Sequence, residues 1–576
     1  MSQAIRAHLE ALYGPERAAP AYAQLAATLA EFARAHPELA RPAGERLTER
    51  DAVLITYGDQ VRAEGEPPLA TLARLLDGPL RGLTSAVHIL PFYPYSSDDG
   101  FSVIDYTAVD PQLGGWGEIE RLRGRARLMF DAVVNHVSAQ SAWFAAFLRG
   151  EPGAERRFIC MDPSTDLSLV TRPRTTPLLT PFDTPAGTRY VWTTFSADQI
   201  DLNYAEPALM LEMIDVLLEY VARGAELIRL DAIGYLWKQP GTRCIHLPQT
   251  HRAVQLFRSV LDAAAPGVLL VTETNVPHRD NISYFGDGTN EAQMVYQFPL
   301  APLVLHSFAT GSARALTGWA AGLGAPAPST TFFNFLASHD GIGVVPASGM
   351  LTPAEVAALA ARAEAHGGHV SYKNNPDGTQ SPYELNITLF DALTHPDEQR
   401  ASPSRAIERF VAANAIMLAL QGVPGIYIHS LFGSPNYHAG VAASGRARSI
   451  NREKWHFAEL AARLADPGSR ASTVLARFRA LLAARAAQRA FHPGAPQRVL
   501  ALDDSAFVVL RGQASAAVLC AHNLSGAPLR LRLRAADLPE LAGSPLADLL
   551  SGQVVAPAGW AECAIELAPY QVLWAS

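Results

Sequence analysis

Four short segments each end an apolar run with side chains able to do acid–base or nucleophilic work. Ala225–Tyr235 climbs through Leu-Ile to Arg229, Leu230 and Asp231. Residues i and i+2 of a strand face one side, so Arg229 and Asp231 point together beyond the strand end. Val268–Asn275 places Glu273 in the same way, Phe332–Asp340 places His339 and Asp340, and Leu128–His136 ends in Asn135 and His136. Carboxylates at the mouths of several strands suit glycoside chemistry, where one acts as nucleophile and another as acid/base. A guanidinium beside Asp231 favours its ionised form and is expected to keep its pKa low. Glu273 must hold a proton to help a leaving group depart.

The elements that must position these groups are legible in the hydrophobic pattern. Candidate strands are Val53–Tyr57, Val87–Phe92, Leu128–Val134, Glu226–Leu230, Val268–Thr272, Met294–Phe298, Phe332–Ala337 and Gly425–His429. They alternate with helical stretches, which predicts a parallel α/β sheet, and eight of them fit a (β/α)8 TIM barrel. Residues 1–50 read as a helical extension: Ile5, Leu9 and Leu12 share a face, as do Tyr22, Leu25, Leu29 and Phe32, until Pro37 and Pro42 break the pattern. The barrel then spans 51–136 and 205–492. Two spacings exceed plain loops, an insertion at 137–204 and another at 341–400 with a turn at Asn374-Asn375-Pro376-Asp377-Gly378. Long insertions on the catalytic face usually shape a binding site. Short β-like runs after Pro493 predict a C-terminal all-β domain over 493–576.

The four motifs, in order, resemble the signature regions of the α-amylase superfamily, glycoside hydrolase family 13. The resemblance runs from about Asp51 to the C-terminus. It implies that Asp231 is the nucleophile, Glu273 the general acid/base and Asp340 the carboxylate that holds sugar hydroxyls, with Arg229, His136 and His339 as binding and orienting residues. It makes 137–204 the inserted domain B. Tyr95-Ser-Ser-Asp-Asp-Gly-Phe101 resembles the sucrose-phosphorylase branch. There, Asp98 would close the sugar pocket and pair with Arg448, while Phe101 and Phe195 wall it beside Gln199. In that branch Arg174 corresponds to the phosphate-binding arginine and Tyr383 to the acceptor-loop tyrosine. Glu384 where that branch has Gln, Lys373 in the loop and the N-terminal extension are similar to glucosylglycerate phosphorylases and the related glucosylglycerol phosphorylases. The resemblance implies a retaining phosphorylase using phosphate and a small α-glucoside, 2-O-α-glucosylglycerate first, with glucosylglycerol, sucrose or sucrose 6-phosphate as alternative donors and a retaining α-glucosidase or transglucosidase as the rival reading. The mechanism predicts roughly 5–5.5 Å between Asp231 and Glu273. Phosphorylases of this branch generally lack the calcium of many amylases, so no metal and no cofactor is expected.

Composition agrees with an ordinary globular enzyme. The chain has 576 residues, 49% hydrophobic and 18% charged, with net charge −8 and no Lys/Arg block. That speaks against nucleic acid or an anionic membrane as partner. Arg6 and Glu10 interrupt the first apolar stretch, so no signal peptide is expected. No run reaches the roughly 18 apolar residues that span a bilayer. Cys160, Cys244, Cys520 and Cys563 form no CxxC pair and are expected to be buried, reduced thiols. These features predict a cytoplasmic protein, a monomer or homodimer.

Overall fold

The structure, a computed structural model, describes residues 3–40, 44–324, 327–375 and 378–576. Pro42 and the Pro376-Asp377 step of the expected turn lie outside the described residues. Eight parallel strands close into one barrel: β1 (Val53–Thr56), β2 (Ala86–Ile89), β3 (Arg127–Ala132), β4 (Ala225–Leu230), β5 (Leu269–Thr272), β6 (Met294–Tyr296), β7 (Thr331–Asn334) and β8 (Val423–Tyr427). Each pairs with its sequence neighbours, and β8 returns to β1 with Val53 opposite Gly425. Helices such as Pro207–Ala222 and Pro248–Ala264 lie between successive strands. The strands read as apolar runs because helices cover the outside and packed side chains fill the inside. Gly425 has a packing reason: a Cβ there would come within 2.5 Å of the Phe333 ring.

All eight expected strands are present, some shorter at their C-terminal ends. β2 stops at Ile89 rather than Phe92, since Pro91 has no N–H for a ladder. His429 falls in a short helix, Ile428–Leu431, beyond β8. The N-terminal helix Gln3–Ala35 kinks at Gly14 (φ 76°) ahead of Pro15. It buries Ile5, Leu9, Leu25 and Leu29, and Tyr13 Oη donates to the Tyr204 carbonyl at 3.0 Å.

The segment after β3 leaves through a strand, His136–Ser138, and returns through Gln199–Asp201. These two pair antiparallel, His136 opposite Asp201. Between them lies a hairpin, Leu179–Thr184 with Gly187–Trp192. A second hairpin, His369–Asn374 with Gln380–Asn386, stands on the insertion after β7. The C-terminal strands Gln497–Leu500, Ala506–Arg511, Val518–Asn523 and Val572–Ala575 form one antiparallel sheet. Leu529–Arg534 pairs with Glu562–Leu567 and alternates Leu and Arg, burying Leu531 and Leu533 on the inner face. The cysteines depart from expectation in burial: Cys244 and Cys520 are buried, Cys563 is intermediate, and Cys160 is exposed, bridged to Val191 of the insertion's hairpin. All four are free thiols. Among the described residues, no helix is long and apolar enough to cross a membrane.

Candidate active site

Strand register builds the centre of the site. Asp131 on β3 lies opposite Arg229 on β4, and Val271 on β5 flanks Arg229 from the other side. Arg229 is 2% exposed and donates through Nη1 to both Asp131 and Asp231, the latter at 2.8 Å. Its Nη2 lies 3.7 Å from Glu273 Oε2. One guanidinium therefore touches three carboxylates from three adjacent strands. Asp131 is held in turn by His88 of β2, Nε2 to Oδ2 at 2.6 Å. Past Asp231 the chain turns sharply at Ala232 (φ 46°), which aims the Ala232 N–H at Glu273 Oε2, 3.1 Å away.

Burial pushes the Asp231 carboxyl well above the usual carboxylate range, with Arg229 opposing and Glu273 adding to the rise. This corrects the expectation of a low value: Arg229 is shared with Asp131 and Glu273, and desolvation outweighs its remaining pull. Burial also raises Glu273, against Arg229 and with Asp340. Two neighbouring carboxyls in this environment resist ionising together. Arg229 lies nearer Asp231 than Glu273, which favours the anion on Asp231 and the proton on Glu273. For Asp340 burial again favours the neutral form, but Arg448 and Arg452 overcome it and hold the carboxyl below its ordinary value. Burial keeps His136 and His339 neutral, with Arg229 and Arg452 lowering His339 further.

These groups open on a cavity of about 670 Å³ including its mouth. Asp231, Glu273, Asp340, Asp98, Phe101, His136, Phe195, Gln199, His339, Arg448, Arg174 and Tyr383 all line it. The Phe101 ring stacks on His339 at 4.7 Å and 7°. His136 Nε2 donates to the Phe101 carbonyl at 2.7 Å, and Gln199 Nε2 reaches the same oxygen at 3.1 Å. Phe195 packs against His136 and Tyr235. Seven non-glycine residues among those described have positive φ, and five of them (Asp98, Asp99, Ala232, Cys244, His246) are at or beside this cavity. Backbone held in such conformations costs energy and tends to collect where side chains must be aimed.

Four placements differ from the sequence reading. Arg229 lies behind the carboxylates rather than on the cavity wall. Arg448 does not pair with Asp98: its Nη1 lies 2.5 Å from Asp340, and Nε and Nη2 grip Glu384 at 2.9 and 2.6 Å. A two-pronged carboxylate from the hairpin captures the fork of the guanidinium, while Asp98 accepts from Gln199 at 3.4 Å and Arg452 takes Asp99. Glu384 is 1% exposed and does not line the cavity. Adjacent strand residues face opposite ways, so Tyr383 fills the cavity wall and Glu384 turns behind it. Tyr383 is also the extra residue of a bulge, since Ser371 pairs with Glu384 and Tyr372 with Pro382. Glu384 further accepts the Gly341 N–H at 3.0 Å, and a Cβ on Gly341 would meet its Cγ at 2.5 Å. Lys373 sits on the hairpin outside the cavity lining.

Sequence reasoning missed several groups that the fold brings in. Asp131 and His88 stand behind Arg229. Lys238 bridges Asp201 (2.6 Å) and Asn135 (2.7 Å), fastening both ends of the insertion to the site. Tyr235, His246 and Asn275 line the cavity. A signal existed for two of them: a lone Asp within Leu-Met-Phe-Asp-Ala and a lone His within Ala-Val-His-Ile are polar residues in otherwise apolar buried strands. Among the described residues, no group of three or more His, Cys, Asp or Glu side chains is arranged to hold a metal ion.

Comparison with known proteins places this geometry in context. Residues 80–320 match the family described as Alpha amylase, catalytic domain. The chain is 54% identical over 574 residues to a glucosylglycerate phosphorylase of Allomeiothermus silvanus, covering 100% of this chain and 98% of that one. It is 44% identical to the glucosylglycerate phosphorylase of Escherichia coli, with both chains covered in full. The crystal structure of sucrose 6F-phosphate phosphorylase from Thermoanaerobacter thermosaccharolyticum superposes with a TM-score of 0.72 at 24% identity, over 82% of this chain and 94% of that one.

Proposed function

Because the chain belongs to the α-amylase family of glycoside hydrolases, family 13, and to its phosphorylase branch, we propose that it is a retaining phosphorylase that cleaves 2-O-α-glucosylglycerate with inorganic phosphate. Glucosylglycerate is the substrate class named for its full-length relatives. Asp231 attacks the anomeric carbon while Glu273 gives its proton to the departing glycerate oxygen. A β-glucosyl ester forms on Asp231. Glycerate leaves, phosphate enters, and a phosphate oxygen attacks the anomeric carbon as Glu273 takes its proton. α-Glucose 1-phosphate departs and Asp231 is free again. Two inversions give net retention. Asp340, held low by Arg448 and Arg452, accepts hydrogen bonds from sugar hydroxyls, and the stacked Phe101–His339 pair forms the floor of that subsite. Residues 137–204 serve as domain B, bringing Arg174 over the acceptor side, and the C-terminal β domain is structural.

The observation that carries this reading is Arg174. It lines the same cavity as Asp231 and Glu273, with its guanidinium 5.9 Å from the Tyr383 ring, and has no carboxylate within ion-pair reach among the described residues. A cation that no carboxylate grips, next to a glycosyl nucleophile, suits an incoming phosphate better than it suits water. The charged sugar phosphate product does not leak across membranes, which fits work in the cytoplasm.

The test is α-glucose 1-phosphate formation from glucosylglycerate, glucosylglycerol, sucrose and sucrose 6-phosphate, each with phosphate, with free glucose assayed alongside. Phosphate-dependent product from glucosylglycerate is expected. Free glucose alone, at a rate indifferent to phosphate, would mean a hydrolase.

A further inference from the structure

Arg174 is not the only unpaired cation at the acceptor side. Arg243, on the segment after β4, and Lys373, on the hairpin after β7, also lack any ion-pair partner among the described residues. By contrast Arg229, Arg448 and Arg452 at the sugar end are each matched with carboxylates. Neighbouring like charges repel, and an anionic ligand placed between them relieves that repulsion.

The backbone holds Arg243 in place. The Thr171 N–H donates to the Arg243 carbonyl at 3.0 Å, tying it to the stretch that carries Arg174 three residues later. Cys244 (φ 49°) and His246 (φ 54°) are both left-handed, and Ile245 between them lines the cavity. Two strained non-glycine residues in three fix how Arg243 approaches the rim. Lys373 is brought from the opposite side, paired with Ser381 two residues before the cavity-lining Tyr383. Burial lowers the Lys373 pKa and the Arg243 charge lowers it further, so the two cations feel each other. The Arg243 charge also acts on Tyr235 and His246, both of which line the cavity.

We propose that Arg243 and Lys373 together recognise the carboxylate of the acceptor, a short α-hydroxy acid, and so set acceptor choice beside the phosphate-directed Arg174. This rests on the phosphorylase reading above. A neutral polyol of the same size fills the same space but leaves both cations unmatched, so the pair discriminates by charge. Arg243 offers a fork that suits a carboxylate, and Lys373 a point charge carried on the hairpin strand.

The same cations could serve the carboxylate or inorganic phosphate, and the experiment separates the two. Arg243→Gln, Lys373→Met and the double variant would be assayed in the synthetic direction, from α-glucose 1-phosphate, with glycerate and with glycerol as acceptors. The KM for phosphate would be measured in phosphorolysis. Each single variant should lower the kcat/KM preference for glycerate over glycerol by roughly 10- to 100-fold, mainly through the KM for glycerate. Arg243 is exposed and Lys373 half-exposed, so melting temperatures should stay near wild type. An unchanged glycerate-to-glycerol preference, or a defect confined to phosphate, overturns the inference while leaving the phosphorylase reading intact. A wild-type protein that uses no acceptor at all overturns both.

Discussion

Arg229→Met tests the electrostatic arrangement of the site directly. Arg229 lies 2.8 Å from Asp231 and 3.7 Å from Glu273, and is 2% exposed. With an effective dielectric of about 20, those separations correspond to attractions of about 6 and about 4.5 kcal/mol. The difference, about 1.5 kcal/mol, prefers the anion on Asp231 over Glu273 by about tenfold. Removing the guanidinium abolishes that preference and leaves Asp131 buried without its main partner. Breaking such a buried pair costs about 3–5 kcal/mol of stability, and with the preference for the Asp231 anion gone, kcat/KM of the folded variant at neutral pH should fall by about tenfold or more. The sign of the pH effect follows. Losing a cation favours the protonated form of Asp231, and the reaction needs the ionised form, so the acid limb of the pH profile should move to higher pH. The assay is kcat/KM for α-glucose 1-phosphate release across the range where the protein is folded, with circular dichroism as the folding check. Arg229→Lys, which keeps a charge but not the span across three carboxylates, should lose less and shift the limb less. A folded Arg229→Met variant whose acid limb stays in place, or moves down, would refute the assignment of the anion to Asp231.

Asp231→Asn should lower turnover by about three to five powers of ten. Burial raises the folded-state Asp231 and Glu273 carboxyls, so their contribution to stability is fully present below the unfolded carboxylate value of about 4 and is lost as pH rises through the folded one. The variant should therefore melt at or above the wild-type temperature at pH 8, and a clearly lower melting point would contradict the raised carboxyl. Arg174→Gln should raise the KM for phosphate by roughly 10- to 100-fold while free-glucose release from the glucosyl-enzyme persists; initial rates over a phosphate series decide it. Glu384→Gln keeps a group able to accept the Gly341 N–H but removes the charge gripped by Arg448. Its donor KM should rise by about tenfold or more, and an unaltered KM in a folded variant would mean that Arg448 needs no such support.

The parts of this molecule that follow local patterns were legible in the chain. Eight apolar runs marked the barrel strands, four of them leading into groups able to do chemistry, and the i, i+2 rule put Arg229 and Asp231 on one side. What depends on register between distant strands was not. Asp131 meets Arg229 only because β3 and β4 are aligned with those residues opposite. Lys238 and Asp201 are 37 positions apart and meet only through the insertion's return strand. The resemblance named Glu384 as an acceptor-side group, but a bulge and the two-residue period of a strand turned it inward to Arg448. Arg243 lies in Gly241-Thr-Arg-Cys-Ile, which has no periodicity to read, and its position is set by two left-handed residues beside it.

The antiparallel pairing of His136–Ser138 with Gln199–Asp201 has a further consequence. The ends of the insertion are brought together by their own short ladder and by the Lys238 bridge, so closing the loop does not depend on what lies between. Each doubling of such a loop adds only about 0.6 kcal/mol of closure entropy. The stretch 139–198 is thus a cassette on a fixed socket: a change in its length away from Arg174 and Phe195 would leave the barrel and its three carboxylates where they are.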